Sequence, residues 1–298
     1  MPIFVGVDAG GSSIECVVEH NAEVRTARGE AANVRTVGVA RAAERIAATV
    51  RSALRGDAFD ALAAGAAGAG DFVLARALES ALREYFPGAA VAVFDDAEIA
   101  LRAAVPVGDG AVLIAGTGSI AYAHLGEEAH RVGGYGHLLG DDGSGFAIGR
   151  AALANLLRWY DGRAAHSELF DVISAQLGVH DAQDLLRCVY GAPHPVAIVA
   201  SIAPLVLDRA GAGDRLANKS VQAAALELVE LLKALVRRAK IEAREIPLVF
   251  AGGLFAQNSL LSYLIETRLL ADLPLLHPIK SPPPPVQGAL ELARRMAR

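Results

Sequence analysis

The sequence predicts an α/β fold of two domains, and three observations support this prediction. The chain has 298 residues, of which 53% are hydrophobic and 20% charged, so it lies in the ~250–300-residue range at which one core tends to divide into two. Predicted strands and helices alternate through the first half, which favours a parallel or mixed sheet. A strand, a glycine turn and a second strand then follow once more after residue 110, which indicates an internal duplication.

The first half opens with three short runs at hairpin spacing, which predict an antiparallel meander. A helix with apolar residues on a 3.6-residue period follows, and Gly56 and Asp57 end it. Two apolar strands, each followed by a helix, come next. The predicted elements are strands at 3–8, 13–20, 23–29, 61–67 and 91–94 and helices at 36–54, 71–85 and 95–105.

The second half repeats this opening, because residues 113–119 echo residues 5–13. Helices dominate the next hundred residues, and a short apolar strand then leads through Gly252 and Gly253 into another helix. The Pro-rich residues 282–285 form a rigid spacer before a last helix that could cross back to the first half. The predicted elements are strands at 111–115, 119–125, 128–132 and 248–251 and helices within 146–240 and at 258–270 and 286–297.

Composition argues against several classes of partner. The net charge is −5 and no run of like charges occurs, which disfavours nucleic acid and anionic membranes and favours a small ligand. The two cysteines, Cys16 and Cys188, form no CxxC pair, so we expect a reducing compartment and neither a zinc site nor a disulfide framework. The first residues lack a signal-peptide pattern and no window of ~18 apolar residues exists, so the expected location is cytoplasmic.

Residues 133–145, the Gly-rich loop, are the most informative segment. Six of its thirteen residues are Gly, which weakens any helix or strand and lets the backbone pass close to a ligand, and Asp141 and Asp142 add carboxylates. A linker is the alternative interpretation. Linkers are usually Ser/Pro-rich and carry no apolar pair such as Leu138-Leu139, so we interpret this segment as a binding loop.

Two glycine turns suggest phosphate binding. The first glycine turn (residues 10–13) follows a strand that ends at Asp8, and its backbone N–H groups and hydroxyls suit phosphate oxygens while Asp8 suits a metal ion. An ordinary hairpin turn is the alternative. The second glycine turn (residues 116–119) strengthens the phosphate interpretation, because two like turns can hold a polyphosphate from both sides. The Walker pattern is absent, and G-x-G-x-x-A is matched only formally because a strand follows it.

Several polar side chains have two open interpretations. Asp95 and Asp96 come directly after an apolar strand, where a carboxylate can cap the next helix or act as a general base. Asn33 has two possible roles: it can form a turn, or it can hydrogen-bond sugar hydroxyls. His137 favours a structural hydrogen-bonding role over metal binding, since no second His or Cys stands at ligand spacing.

These segments resemble the N-acetylglucosamine and glucosamine kinase branch of the BadF/BadG/BcrA/BcrD ATPase group, within the sugar kinase, Hsp70 and actin superfamily. The resemblance implies a duplicated ribonuclease-H-like (actin-like ATPase) fold with two domains around a cleft. The implied domains are a smaller one, residues 1–116 with 284–298, and a larger one, residues 117–283. The segments that carry the resemblance are 7–13, 95–97, 116–119, 133–145, 250–259 and 287–289.

The resemblance also implies a function: an ATP- and Mg²⁺-dependent kinase that phosphorylates a hydroxyl, O6, of N-acetylglucosamine, glucosamine or N-acetylmuramic acid, in a homodimer. Ala9, Ser12 and Ile120 depart from the family pattern, and Ile120 replaces a sugar-binding Asn of the animal enzymes, which leaves the sugar open. The implied roles are Asp8 for Mg²⁺; Gly10, Gly11, Ser12, Ser13, Gly116, Thr117 and Gly118 for phosphates; Gly252, Gly253 and Asn258 for adenosine; Asp96 as base; and Asn33, Asp96, Thr117, Gly136 and Asp141 for the sugar.

Two other functions compete with the kinase hypothesis. A dehydratase activator would couple ATP hydrolysis to electron transfer through an iron–sulfur cluster shared in a dimer, and Cys16 and Cys188 would have to supply its thiolates. The other alternative is a non-catalytic nucleotide-dependent module. This function would not explain why Asp96 and Asp141 occur together with both glycine turns.

Overall fold

The structure, a computed structural model, describes residues 2–21, 23–255, 259–279 and 282–297. Its described strands form two five-stranded sheets. The first contains β1 Ile3–Ala9, β2 Ser13–His20, β3 Glu23–Glu30, β4 Ala61–Ala66 and β5 Ala90–Asp95. The second contains β6 Gly110–Ala115, β7 Ser119–Leu125, β8 Glu128–Gly133, β9 Ile246–Ala251 and β10 Leu276–Ile279.

Helices follow the strands in both halves of the chain. Those of the first half are α1 Val34–Val37, α2 Val39–Leu54, α3 Phe72–Tyr85 and α4 Asp96–Ala104. Those of the second half are α5 Gly145–Tyr160, α6 Glu168–Leu177, α7 Ala182–Tyr190, α8 Pro195–Ala200, α9 Ala203–Gly211, α10 Arg215–Ala239, α11 Leu260–Asp272 and α12 Pro285–Met296. None of the described helices is by itself long and apolar enough to cross a membrane. Among the described helices, one pair, 195–211 and 215–239, has the necessary length and apolar composition when the two are taken together, but the pair is sharply bent.

The two sheets have the same strand order, which confirms the predicted duplication. The first runs β3-β2-β1-β4-β5 and the second, read in the same sense, β8-β7-β6-β9-β10. In the first sheet β1, β2 and β3 form the predicted antiparallel meander, and β4 and β5 add to it in parallel. In the second, β9 lies parallel to β6. The fold class is therefore α/β with mixed sheets, as the element order predicts.

The chain divides into two compact units. Unit 1 comprises Met1–Gly110, His124–Glu127 and Ile279–Arg298, and unit 2 comprises Ala111–Ala123 and Glu128–Pro278. The C-terminal helix α12 belongs to unit 1, where it packs against β1, β4 and α4. The sequence prediction that the last helix crosses back to the first half is confirmed.

Both faces of the first sheet are covered at its strand β4, whose residues are all buried. Alternate residues of β4 belong to two different clusters: Leu62 and Ala64 pack with the apolar stripe of α2, while Ala61 and Ala63 pack with α4 and α12. This period of two is what a strand covered on both faces requires. The sheet is thereby fixed between two helical layers, and the carboxyl ends of its parallel strands are held in register.

The structure differs from the predicted elements at the first long helix, at β10 and at the start of α11. The helix predicted over 36–54 is two helices, because Asn33 caps the short α1 and Gly38, with φ of 80°, separates it from α2. Strand β10 was not predicted, since its four residues show no alternating apolar pattern and Leu276 is the buried one. The predicted helix at 258–270 begins at Leu260 after the capping residue Ser259.

Replacing Gly6 with alanine should destabilise unit 1. An added Cβ would lie 2.5 Å from the Leu290 nitrogen and 2.8 Å from the Val286 oxygen, both in the backbone of α12, so helix and strand would have to separate. We expect a loss of about 1–3 kcal/mol in the free energy of unfolding, measured by urea denaturation. Gly88→Ala is the control, because an added Cβ there meets nothing within 4 Å. Equal stability of the two variants would contradict the close packing of α12.

Candidate active site

In unit 1, the predicted site residues lie at one edge of the sheet. Asp8 of β1 pairs in register with Gly65 of β4, and Ala66 pairs with Asp95 of β5. Because β1, β4 and β5 are parallel, their carboxyl ends meet at this edge, which is where open α/β sheets bind ligands.

The Asp8 carboxyl has an unusual electrostatic environment. Burial, and secondarily the negative charge of Glu15, raise the pKa of Asp8 from 3.8 to about 6. Within the described part of the chain its carboxylate accepts no hydrogen bond. Glu15 is the register partner of Asp8 on β2 and pairs with Arg28 at 2.7 Å. Mg²⁺ is usually held by one or two carboxylates together with substrate phosphates and water, so Asp8 and its neighbour Glu15 fit that ion.

The first glycine turn, which follows Asp8, is closed by its own backbone. The Gly10 N–H donates to the Ser13 oxygen at 2.9 Å, and the Gly10 oxygen accepts from the Ala32 N–H at 3.1 Å. Gly11, Ser12 and Ser13 are exposed. Their hydroxyls and N–H groups can therefore reach a ligand beside Asp8.

Both carboxylates of the Asp95-Asp96 pair lie at the start of α4. Asp95 is the N-cap, and its Oδ1 accepts from the Ala97 N–H at 3.0 Å, so the capping interpretation is confirmed for Asp95. Asp96 is the first residue of the helix and is half-buried, and its Oδ1 accepts from the same N–H at 3.0 Å. Both carboxylates are therefore held at the N-terminus of α4 by its backbone.

A buried charged network fixes α4 behind Asp96. Glu98 and Arg102 are 6% and 5% exposed, and the Arg102 Nε donates to a Glu98 oxygen at 2.7 Å. The other Glu98 oxygen lies 3.0 Å from His124 Nδ1, and Arg102 also donates to the Gly108 oxygen at 2.9 Å. Buried ion pairs of this kind define one geometry, because breaking them leaves an uncompensated charge. The orientation of α4, and with it that of Asp96, is therefore tightly specified.

Asn33 forms a turn, as one of its two interpretations predicts. Its Oδ1 accepts from the Arg35 N–H at 3.0 Å and caps α1. An added Cβ at Gly68, in the loop after β4, would lie 3.1 Å from that Oδ1. The Asn33 amide nitrogen donates to no group in the described residues, so its two donors can serve a ligand.

In unit 2, the second glycine turn lies beside the start of α5. The Gly116 N–H donates to the Gly118 oxygen at 2.9 Å, and the Gly116 oxygen accepts from the Gly145 N–H at 2.7 Å. Ser144 is fully buried and caps α5 through the Ala147 N–H. The turn thus lies at the N-terminus of a sixteen-residue helix, which favours anions. Sequence reasoning missed Ser144, although a Ser before a helical run is a capping signal.

The Gly-rich loop is tied to this turn through Asp141. The Asp141 carboxylate accepts the backbone N–H groups of Ser119 and Gly136, and an added Cβ at Gly118 would lie 2.8 Å from its Oδ2. Burial raises the pKa of Asp141, while the two hydrogen bonds and the charge of His137 act in the opposite direction. Three predicted site residues, Gly118, Gly136 and Asp141, are therefore close together, and Thr117 is exposed beside them.

Gly252 and Gly253 lie at the same end of the second sheet. Gly252 has φ of 99°, and an added Cβ there would lie 2.4 Å from the Ala115 oxygen at the end of β6. An added Cβ at Gly116 would lie 3.8 Å from the Gly253 nitrogen. The structure thus brings both glycines to the second glycine turn. Asn258, the third predicted adenosine residue, lies outside the described residues.

Cys16 and His137, the remaining candidates, lie in surroundings that favour a structural role. Cys16 is 1% exposed in β2, and burial raises the pKa of its thiol to about 12, which does not suit a ligand for an iron–sulfur cluster. His137 is exposed and its ring packs on Phe146 at 5.0 Å between centroids. Among the residues that the structure describes, no three His, Cys, Asp or Glu side chains form a group that could hold a metal ion.

Comparison with known proteins identifies relatives across the chain. The sequence profile of the BadF/BadG/BcrA/BcrD ATPase family matches residues 5–293. The N-acetylmuramic acid/N-acetylglucosamine kinase of Clostridium acetobutylicum is 33% identical over 55% of this chain and 54% of its own. The N-acetyl-D-glucosamine kinase of Dictyostelium discoideum is 30% identical over 62% of this chain and 59% of its own. The match therefore spans little more than half the length of each of these two curated relatives.

A solved structure matches nearly the whole chain. The crystal structure of a candidate N-acetylglucosamine kinase from Chromobacterium violaceum superposes with a TM-score of 0.78 at 25% identity, over 98% of this chain and 99% of that one. This agreement confirms the predicted duplicated ribonuclease-H-like fold.

Asp8→Asn should stabilise the protein at neutral pH. Between pH 3.8 and about 6 the folded state holds a proton on Asp8 that the unfolded state releases, so wild-type stability falls as pH rises through this window. Asparagine imitates the protonated form. We expect the variant to be more stable by about 1–3 kcal/mol at pH 7, with the gap closing below pH 4, in urea unfolding without divalent cations. Equal stability at pH 7 would show that Asp8 carries no such penalty.

Proposed function

We propose that this chain, which belongs to the BadF/BadG/BcrA/BcrD ATPase family, is an ATP- and Mg²⁺-dependent amino-sugar kinase. It transfers the γ-phosphoryl group to a hydroxyl, O6, of N-acetylglucosamine, glucosamine or N-acetylmuramic acid. One observation carries the proposal: the Asp141 carboxylate lies against Gly118 and accepts the Ser119 N–H. A carboxylate suited to sugar hydroxyls is thus attached to a turn suited to phosphate. The kinase activities of the named relatives agree with this proposal.

Phosphate binding is assigned to the two glycine turns. Residues 10–13 offer exposed hydroxyls and N–H groups, and residues 116–118 lie at the positive end of α5. A bound Mg²⁺ would neutralise charge on the phosphates, and Asp8 would hold it directly or through water. Gly252 and Gly253, with Asn258, would flank the adenosine, and the absence of side chains at the two glycines lets a flat base approach the backbone.

Sugar binding and activation are assigned to the polar side chains. Asn33, Thr117, Gly136 and Asp141 would hold hydroxyls, and Asp96 would accept the proton of the attacking hydroxyl. Phosphoryl transfer depends mainly on positioning and charge stabilisation. The rigid support of α4 by Glu98 and Arg102 suits Asp96 to this task, because a base must stay within hydrogen-bond reach of the proton it takes.

A screen for ADP release tests the proposal. The purified protein is incubated with ATP, Mg²⁺ and one of glucose, glucosamine, N-acetylglucosamine, N-acetylmannosamine or N-acetylmuramic acid, and mass spectrometry identifies the phosphorylated product. Sugar-dependent ADP formation with an amino sugar supports the kinase. ADP formation that no sugar increases would indicate an ATPase instead. A cytoplasmic homodimer stays an expectation from the sequence.

Asp96→Asn should remove most of the turnover. The amide cannot take the hydroxyl proton, so kcat should fall by about 10²–10⁴ while the sugar KM changes little. Steady-state kinetics measure both constants. Asp181→Asn is the control, because it makes the same change in a carboxylate that caps α7. Near-normal kcat in the Asp96 variant would exclude this residue as the base.

Asp141→Ala should weaken sugar binding more than it slows transfer. The variant loses a carboxylate acceptor for hydroxyls, so we expect the sugar KM to rise by about ten- to a hundredfold. Asp142→Ala is the matched control, since its side chain is exposed. Unchanged sugar kinetics for the Asp141 variant would remove this residue from the sugar site.

A further inference from the structure

A cavity lies in unit 1 at the edge of the first sheet opposite Asp8. The chain reaches this edge just before β4 and just before β5, which run parallel to β1 and end beside the candidate site. A strand of six residues, such as β5, spans roughly 17–20 Å, so this amino-edge cavity is separate from that site. Its volume is about 460 Å³, and its lining residues are Arg51, Leu54, Gly56, Asp57, Ala58, Phe59, Phe86, Gly88 and Ala89.

Apolar and aromatic groups form most of the wall of this cavity. Leu54 and Phe86 are buried, and the half-buried Phe59 ring lies 5.2 Å from the Phe86 ring, edge to face. Gly56 and Gly88 also line it, and an added Cβ at either would meet nothing within 4 Å, so no described side chain fills the space beside them. Ligand pockets typically enclose ~300–1,000 Å³ between such walls. The cavity therefore suits a small planar molecule.

Arg51, in the last turn of α2, supplies a positive charge at this wall. Its Cζ lies 5.3 Å from the centre of the Tyr85 ring and 5.7 Å from that of the Phe86 ring. Arg51 is exposed, and among the described residues its guanidinium donates no hydrogen bond and pairs with no carboxylate. The carboxylate of Asp57, which also lines the cavity, is paired with Arg25 at 2.7 Å. The N–H donors of Arg51 are therefore available to a ligand.

We propose that the amino-edge cavity is a binding site for a planar aromatic carboxylate. The ring of the ligand packs against the apolar wall at Phe59, and its carboxylate accepts two parallel hydrogen bonds from the Arg51 guanidinium. Because this guanidinium is already stacked on two rings, binding costs it little conformational freedom. An uncharged aromatic compound lacks the charged pair and binds more weakly. This site goes beyond the proposed kinase function and does not depend on it.

Binding of 2-naphthoate tests this site, with 2-naphthamide as the uncharged isostere. Isothermal titration calorimetry on the whole chain measures both Kd values for wild type, Arg51→Gln, Arg51→Lys and the control Arg41→Gln, which removes an exposed arginine near the start of α2. We expect wild type to bind the acid about five- to thirtyfold more tightly than the amide, and Arg51→Gln to lose that preference. Arg51→Lys, which keeps the charge without the planar fork, should lie between these two.

A variant with a filled cavity gives a second test. Ala89 is half-buried and packs against the apolar cluster that contains Leu54 and Phe86, so a larger side chain there enters the cavity. Ala89→Leu should weaken binding of both compounds at least about tenfold, and thermal unfolding verifies that the variant is folded at the assay temperature. Asp96→Asn should bind both compounds like wild type, since Asp96 follows the other end of β5.

Each remaining outcome has a distinct meaning. Failure of wild type to bind 2-naphthoate, or binding that folded Ala89→Leu leaves unchanged, would overturn the site. Equal Kd values of wild type for the acid and the amide, or equal affinities of Arg51→Gln and Arg41→Gln for the acid, would overturn the role of Arg51. A wild type that binds the acid as expected but phosphorylates no sugar would support this site and contradict only the kinase proposal.

Discussion

The hydrogen bonds from Ser119 and Gly136 to the Asp141 carboxylate are the interaction on which the site in unit 2 depends. They hold a charged group against the start of β7 and so fold the Gly-rich loop back on the second glycine turn. Two further bonds hold the same segments together: the Gly134 N–H donates to the Ser119 oxygen at 2.9 Å, and the Ser119 hydroxyl donates to the Asp142 oxygen at 2.7 Å. The cost of burying the Asp141 carboxylate, visible in its raised pKa, is partly offset by the Ser119 and Gly136 N–H donors.

Close backbone approach is the second constraint around this site. Gly118, Gly145 and Gly252 each lie where an added Cβ would collide, with the Asp141 carboxylate, the Gly116 oxygen and the Ala115 oxygen respectively. The loops after β6, β8 and β9 can therefore converge only because these positions lack side chains. At these positions glycine allows close contact between loops as well as close approach of a ligand. The abundance of glycine in this part of the sequence therefore has a structural cause.

Much of this architecture could be predicted from local patterns. The meander, α2, the Asp95 cap and the return of α12 follow from apolar periodicity, capping residues and a Pro-rich spacer. The composition of the Gly-rich loop predicts a binding loop, and this stays a prediction. Contacts between distant segments left no such signal: nothing local links Gly145 to Gly116 or Gly252 to Ala115. Strand β10 was missed because its partner, β9, and not its own four residues, defines it.

The position of α12 has a consequence for how the protein is made. This helix covers one face of the first sheet, through contacts such as that of Gly6 with Leu290, yet the ribosome synthesises it after every strand of both sheets. The N-terminal part of the nascent chain must therefore wait, with an apolar surface open to chaperones, while the 164 residues of unit 2 emerge. A premature stop codon that removed only the final helix would leave that surface permanently uncovered, and would expose the whole polypeptide to aggregation and degradation.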